Sequence, residues 1–158
     1  MERLADHGIA ERETAGSAHL YELNRDHLAA PAIEQLVSLR ALLVERLRAE
    51  IASWGIQPDA AGLFGSAARG DGGLDSDIDL FVVRPAYVDD DDAAWRGQLD
   101  LLAERVRSWT GNSAGIAEVG AGDLSDLVDR APPVLDSLRA DAIDIGGRPI
   151  RALLRNAR

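Results

Sequence analysis

Three observations predict an α/β fold. Two short apolar runs rich in strand formers, Ala60 to Phe64 and Ile78 to Val83, flank a glycine-rich loop and suit buried, neighbouring strands. Trp95, Leu99, Leu102, Val106 and Trp109 then recur at intervals of four, three, four and three, the spacing of an amphipathic helix. A third extended run, Gly115 to Val119, follows that helix. Strands and helices therefore alternate along one chain.

The elements follow in order from the N-terminus. Ile9 to Thr14 and Ala18 to Leu23 surround the turn residues Ala15-Gly16-Ser17 and read as a β-hairpin, too polar to form a core of its own. Pro31 suits a first helical turn. Ile33, Val37, Val44, Leu47, Ile51 and Trp54 carry a helical pattern from there until Gly55 stops it. Leu36, Leu39, Leu42 and Leu43 widen the apolar stripe, which predicts a central support helix covered on more than one side. Gln57-Pro58-Asp59 turns the chain into the first apolar run, and Arg84-Pro85 ends the second. The acidic run Asp89 to Asp92 precedes the amphipathic helix, where carboxylates favour the positive end of the helix dipole, and Gly111-Asn112 closes that helix. Asp123 is the expected N-cap of the next helix, with Asp126 as a weak capping partner. Pro132-Pro133 opens another short helix, and "AIDIGGRPI" reads as a strand followed by a turn.

Composition excludes several chemistries. All 17 basic residues are arginine, so a Walker A lysine, a Schiff-base lysine and a kinase-type strand lysine are ruled out. There is no cysteine, which removes thiol nucleophiles and cysteine zinc sites. His7, His19 and His27 all lie in the first 27 residues, away from the remaining motifs. A net charge of -10 argues against broad adhesion to nucleic acid. No run approaches the length of a membrane span and no secretory segment opens the chain, so a cytoplasmic protein without membrane contact is expected.

The chemistry concentrates in "GLFGSAARGDGGLDSDIDLFVV". Side chains alternate along a strand, so Asp77 and Asp79 share a face while Ile78 and Leu80 take the other. Two carboxylates pointing one way repel each other unless a proton or cation intervenes, and they can bind a hard cation through oxygen. The backbone bared by Gly65, followed by the Ser66 hydroxyl, can approach phosphate oxygens. A helix-loop-helix calcium site would need glycine and glutamate where Leu80 and Ala86 stand, and the glycine spacing does not fit a dinucleotide fingerprint. A turn bearing solvated aspartates is the purely structural alternative.

The segment "LFGSAARGDGGLDSDIDLFVV" resembles the nucleotidyltransferase signature, a glycine-serine pair followed about ten residues later by Asp-x-Asp on a strand. The form is closest to that of the minimal nucleotidyltransferases. The resemblance implies a polymerase-β-like nucleotidyltransferase fold, with a mixed β-sheet and flanking helices preceded by the hairpin and long helix. It also implies a magnesium (or manganese) ion and a nucleoside triphosphate donor. Asp77 and Asp79 would hold metal, Gly65 and Ser66 would bind the β- and γ-phosphates, and Arg69 could neutralise leaving pyrophosphate. The family completes its metal site with a third acidic residue on a later strand. Glu118 is the only carboxylate on the matching strand, Gly115 to Val119, and is expected to be that ligand.

The segment "LADHGIAERETAGSAHLYELNRDHL" is similar to the end of a recognition helix and the wing of a winged-helix DNA-binding domain, found fused before nucleotidyltransferase domains in some bacterial proteins. The two preceding helices of such a domain are missing from this chain, so DNA binding by this chain alone is not expected, and the hairpin could instead serve packing or a homodimer contact. The expected organisation is a hairpin over residues 1–27 and a nucleotidyltransferase domain over residues 28–158. The function implied is transfer of a nucleoside monophosphate to an unidentified acceptor hydroxyl on a protein, a transfer RNA end or a small molecule. A non-catalytic nucleotide-binding module, such as a component of a toxin–antitoxin or transcriptional pair, is the alternative.

Overall fold

The computed structural model describes residues 1–16, 18–71 and 76–157. Ser17 of the expected hairpin turn and the 72–75 part of the glycine-rich loop, Asp75 included, lie outside the described residues. The chain divides into two compact units, Met1–Leu39 and Arg40–Arg158.

In the first unit a short helix, α1 (Glu2–Asp6), leads into the antiparallel hairpin β1 (Ala10–Ala15) and β2 (Ala18–Leu23). The register runs from Ala10 opposite Leu23 to Ala15 opposite Ala18. Gly16 takes φ +64°, the left-handed value tight hairpins require. Asn24 closes the base, its Nδ2 donating to the Gly8 carbonyl at 2.8 Å.

The long helix α2 (Ala30–Ala52) begins in the first unit and ends in the second. Only its C-terminal half is covered as expected: Val44, Leu47 and Ile51 are buried, whereas Leu36, Val37 and Leu39 are 65%, 76% and 55% exposed. The wide apolar stripe is therefore not enclosed on more than one side.

The second unit is built on a four-stranded sheet in the order β5-β4-β3-β6, formed by β3 (Ala60–Phe64), β4 (Ile78–Arg84), β5 (Ala114–Gly120) and β6 (Ile143–Gly147). β3 runs antiparallel to both neighbours. β4 and β5 are parallel. A parallel pair needs a crossover, and α4 (Ala93–Thr110) provides it. The Asp92 side chain caps α4 by accepting from the Trp95 amide at 2.8 Å, and Gly111 ends it at φ +80°.

Strand alternation sends two sets of side chains to two apolar layers. Ala61, Leu63, Ile78, Leu80 and Val82 pack with the buried faces of α2 and α4, where Trp54 and Trp95 meet edge to face at 5.7 Å. Ala60, Phe64, Phe81 and Val83 pack with α5 (Leu124–Arg130), α6 (Val134–Asp141) and α7 (Ile150–Asn156). Asp123 is the N-cap residue of α5 and Ile143–Gly147 is a strand followed by a turn, as expected, with two additions. Asp123 caps α5 by position but without a side-chain bond, and a 3₁₀ turn, Ala121–Asp123, leads into the helix. The C-terminal segment read as a turn goes on into helix α7 and buries Ile150, Leu153 and Leu154. No helix among the described residues is long and apolar enough to cross a membrane.

Candidate active site

β3 ends where β4 begins: in the antiparallel register Phe64 lies opposite Asp79. The residue that follows, Gly65, is thereby brought beside the Asp79 carboxylate. Instead of an open loop, Gly65–Arg69 forms one short helical segment, α3, which Gly70 terminates at φ +81°. Gly65 has φ +69°, and a Cβ built on it would stand 2.5 Å from Asp79 Oδ2. Glycine is thus required twice at this position, by backbone conformation and by the acid behind it.

Asp77 is exposed, immediately before β4, and Asp79 is half-buried within it. The Asp79 carboxyl is pushed above the ordinary carboxylate range, first by burial and then by the negative charge of Asp77, while Arg69 pulls the other way. The two acids are therefore electrostatic neighbours. Asn112 fixes the segment that carries them: its Nδ2 donates to the Ser76 carbonyl at 2.8 Å, and the Ile78 amide donates to the Ser113 carbonyl at 2.9 Å.

Ser66 is half-buried in the first turn of α3, its carbonyl accepting from the Gly70 amide at 2.8 Å. Arg69 is exposed on α3 and held by two carboxylates, with Nε 2.9 Å from Asp71 Oδ2 and Nη1 2.8 Å from Asp141 Oδ2 at the end of α6. These contacts stabilise the guanidinium's charge and hold the Asp71 carboxyl below its ordinary range. Sequence reasoning missed Asp141, which is 72 residues from Arg69 and approaches it only through the packing of α6 on this face of the sheet.

Glu118 does not join the site. In the parallel register it pairs with Val82, whereas Asp79 pairs with Gly115. An odd offset along a strand reverses the face, so Glu118 points into the α4 layer, opposite to Asp79. There its side chain is only 14% exposed. Oε1 accepts from Arg84 Nε at 3.0 Å and from Trp95 Nε1 at 2.9 Å, and Oε2 accepts from Arg96 Nη1 at 2.6 Å. The expected third metal ligand is a structural ion-pair residue joining β4, β5 and α4.

Among the described residues no group of three or more His, Asp or Glu side chains is placed to hold a metal. The pair Asp77 and Asp79 nevertheless fits a hard cation that takes its remaining ligands from water and phosphate oxygens, the usual situation of magnesium. Burial raises the Asp79 carboxyl first and the charge of Asp77 second, and a bound cation would offset both.

Comparison with known proteins gives three results. No curated protein matches the chain significantly. Two solved structures resemble it over 75% of its length and 82% of theirs: a toxin–antitoxin complex with AMP-PNP, at 20% identity and a TM-score of 0.44, and a mutant of the toxin–antitoxin MntA-HpeT, at 16% identity and a TM-score of 0.42. The model of the nucleotidyltransferase domain family matches residues 44–144, which contain all of β3, α3, β4, α4 and β5. With that match covering well over half of the chain, and Gly65, Ser66, Asp77 and Asp79 gathered at one end of its sheet, the chain belongs to the nucleotidyltransferase domain family, of the polymerase-β-like class.

Proposed function

We propose that this nucleotidyltransferase moves a nucleoside monophosphate from a nucleoside triphosphate to an acceptor hydroxyl in a reaction that requires magnesium or manganese. The observation that carries this reading is the placement of Asp79 beside both Asp77 and the bare backbone of Gly65. Asp77 and Asp79 would bind the cation, which neutralises triphosphate charge when present. Gly65 and Ser66 bind the β- and γ-phosphates. Arg69, already positioned at the site by Asp71 and Asp141, exchanges part of that pairing for the pyrophosphate oxygens. In the transfer the acceptor oxygen bonds to the α-phosphorus, the bridging bond to the β-phosphate breaks with its electrons leaving on pyrophosphate, and the acceptor proton passes to solvent.

The acceptor is a hydroxyl on a protein, a transfer RNA end or a small molecule, and the net charge of -10 favours a protein or small molecule over a polyanion. The test is incubation of the full chain with labelled triphosphates and cell lysate, alongside the double variant Asp77→Asn, Asp79→Asn. Label should pass to an acceptor with the wild type only. Undiminished metal-dependent transfer by the double variant would overturn the reading. Triphosphate binding with no transfer to any lysate component would instead select the non-catalytic module.

A further inference from the structure

Only two residues of β5 face the same side as Asp79 at the level of the site: Gly115, its register partner, and Ala117, one strand repeat further. A side chain at 115 would crowd the acid, because a Cβ there would stand 3.3 Å from Asp79 Oδ1. Position 117 is where a third carboxylate could approach Asp79 from the neighbouring strand, and it holds the methyl group of an alanine packed among the apolar residues of the α5–α7 layer. The one carboxylate of β5 is Glu118, turned to the opposite face and occupied by Arg84, Arg96 and Trp95. We propose that the site binds one divalent ion per chain, held by Asp77, Asp79 and the triphosphate, and that Ala117 stands in the place from which a further carboxylate would recruit a second ion.

This inference rests on the metal–triphosphate reading above, and counting bound ions separates the two. The probe is manganese, titrated by electron paramagnetic resonance into the full chain with a non-hydrolysable nucleoside triphosphate analogue; ions bound to the same concentration of analogue alone are subtracted. The wild type should bind one ion per chain, Ala117→Asn one, and Ala117→Asp two, with the second ion accompanied by a rise of at least tenfold in transfer rate at saturating metal. Two ions in the wild type would overturn the single-ion site and leave the function standing. None would overturn both. A folded Ala117→Asp variant that still bound one ion would remove position 117 from the account. If that variant does not fold, the wild-type count and the Ala117→Asn control decide the number of ions.

Discussion

The carboxylate of Asp79 occupies the space where residue 65 would carry a side chain, its Oδ2 lying 2.5 Å from an added Cβ. The motif's glycine and its second aspartate, fourteen residues apart in sequence, are thus one packing unit. Gly65→Ala should destabilise the protein by about 1–3 kcal/mol in chemical denaturation, combining left-handed backbone strain with displacement of the acid. In an Asp79→Ala background the loss should shrink to the backbone contribution alone. Equal losses in both backgrounds would show that the two residues do not contact.

The raised carboxyl of Asp79 makes a prediction about pH. Between the ordinary aspartate range and the raised folded value, the folded state holds more protons at this group than the unfolded state does. Its contribution to stability therefore falls as pH rises through that window and stays unfavourable above it. Asp79→Asn should accordingly raise the melting temperature of the metal-free protein at pH 7, with the gain shrinking as pH is lowered through that window and gone once it reaches the ordinary aspartate range. Added magnesium should stabilise the wild type at pH 7 and the variant less. A gain independent of pH would mean that charge at Asp79 is not its cause.

Glu118 accepts two hydrogen bonds from α4, from Trp95 and Arg96, and one from Arg84 of the neighbouring strand β4. Replacing it with glutamine removes the charge that both arginines face, so Glu118→Gln should cost about 1–3 kcal/mol of stability. The magnesium-induced rise in melting temperature should be unchanged. A stabilised metal-free protein with a weakened magnesium response is the opposite outcome, expected only of a ligand.

Arg69 is exposed, and its pairs with Asp71 and Asp141 are expected to contribute little to folding. Arg69→Gln should change stability by less than about 1 kcal/mol while weakening triphosphate binding several-fold in calorimetry. Asp141→Ala should leave triphosphate affinity equal or higher, since it releases one partner of the guanidinium. Unaltered affinity in Arg69→Gln would remove the arginine from the phosphate site.

The sequence by itself determined the strands Ala60–Phe64 and Ile78–Val83 and the helix from Trp95 to Trp109. Each follows from local rules, a period of two or 3.6 or a turn residue at a boundary, which act within a few neighbours of the residue concerned. Helix α7 was less legible because "GGRP" carries strong turn signals and the seven residues after Pro149 are too few to display a period. Glu118 was misread for a deeper reason. Its place on a strand was visible, but whether it faces Asp79 depends on the register of β5 against β4, and a shift of one residue reverses every side chain. That register is set by the α4 crossover and by the burial of Leu80, Val82 and Trp95 in one layer and Phe81 and Val83 in the other. Which acid joins the site, and which is spent on Arg84 and Arg96, was therefore decided only by tertiary packing, because the apolar faces fix the register and the charged side chains follow it.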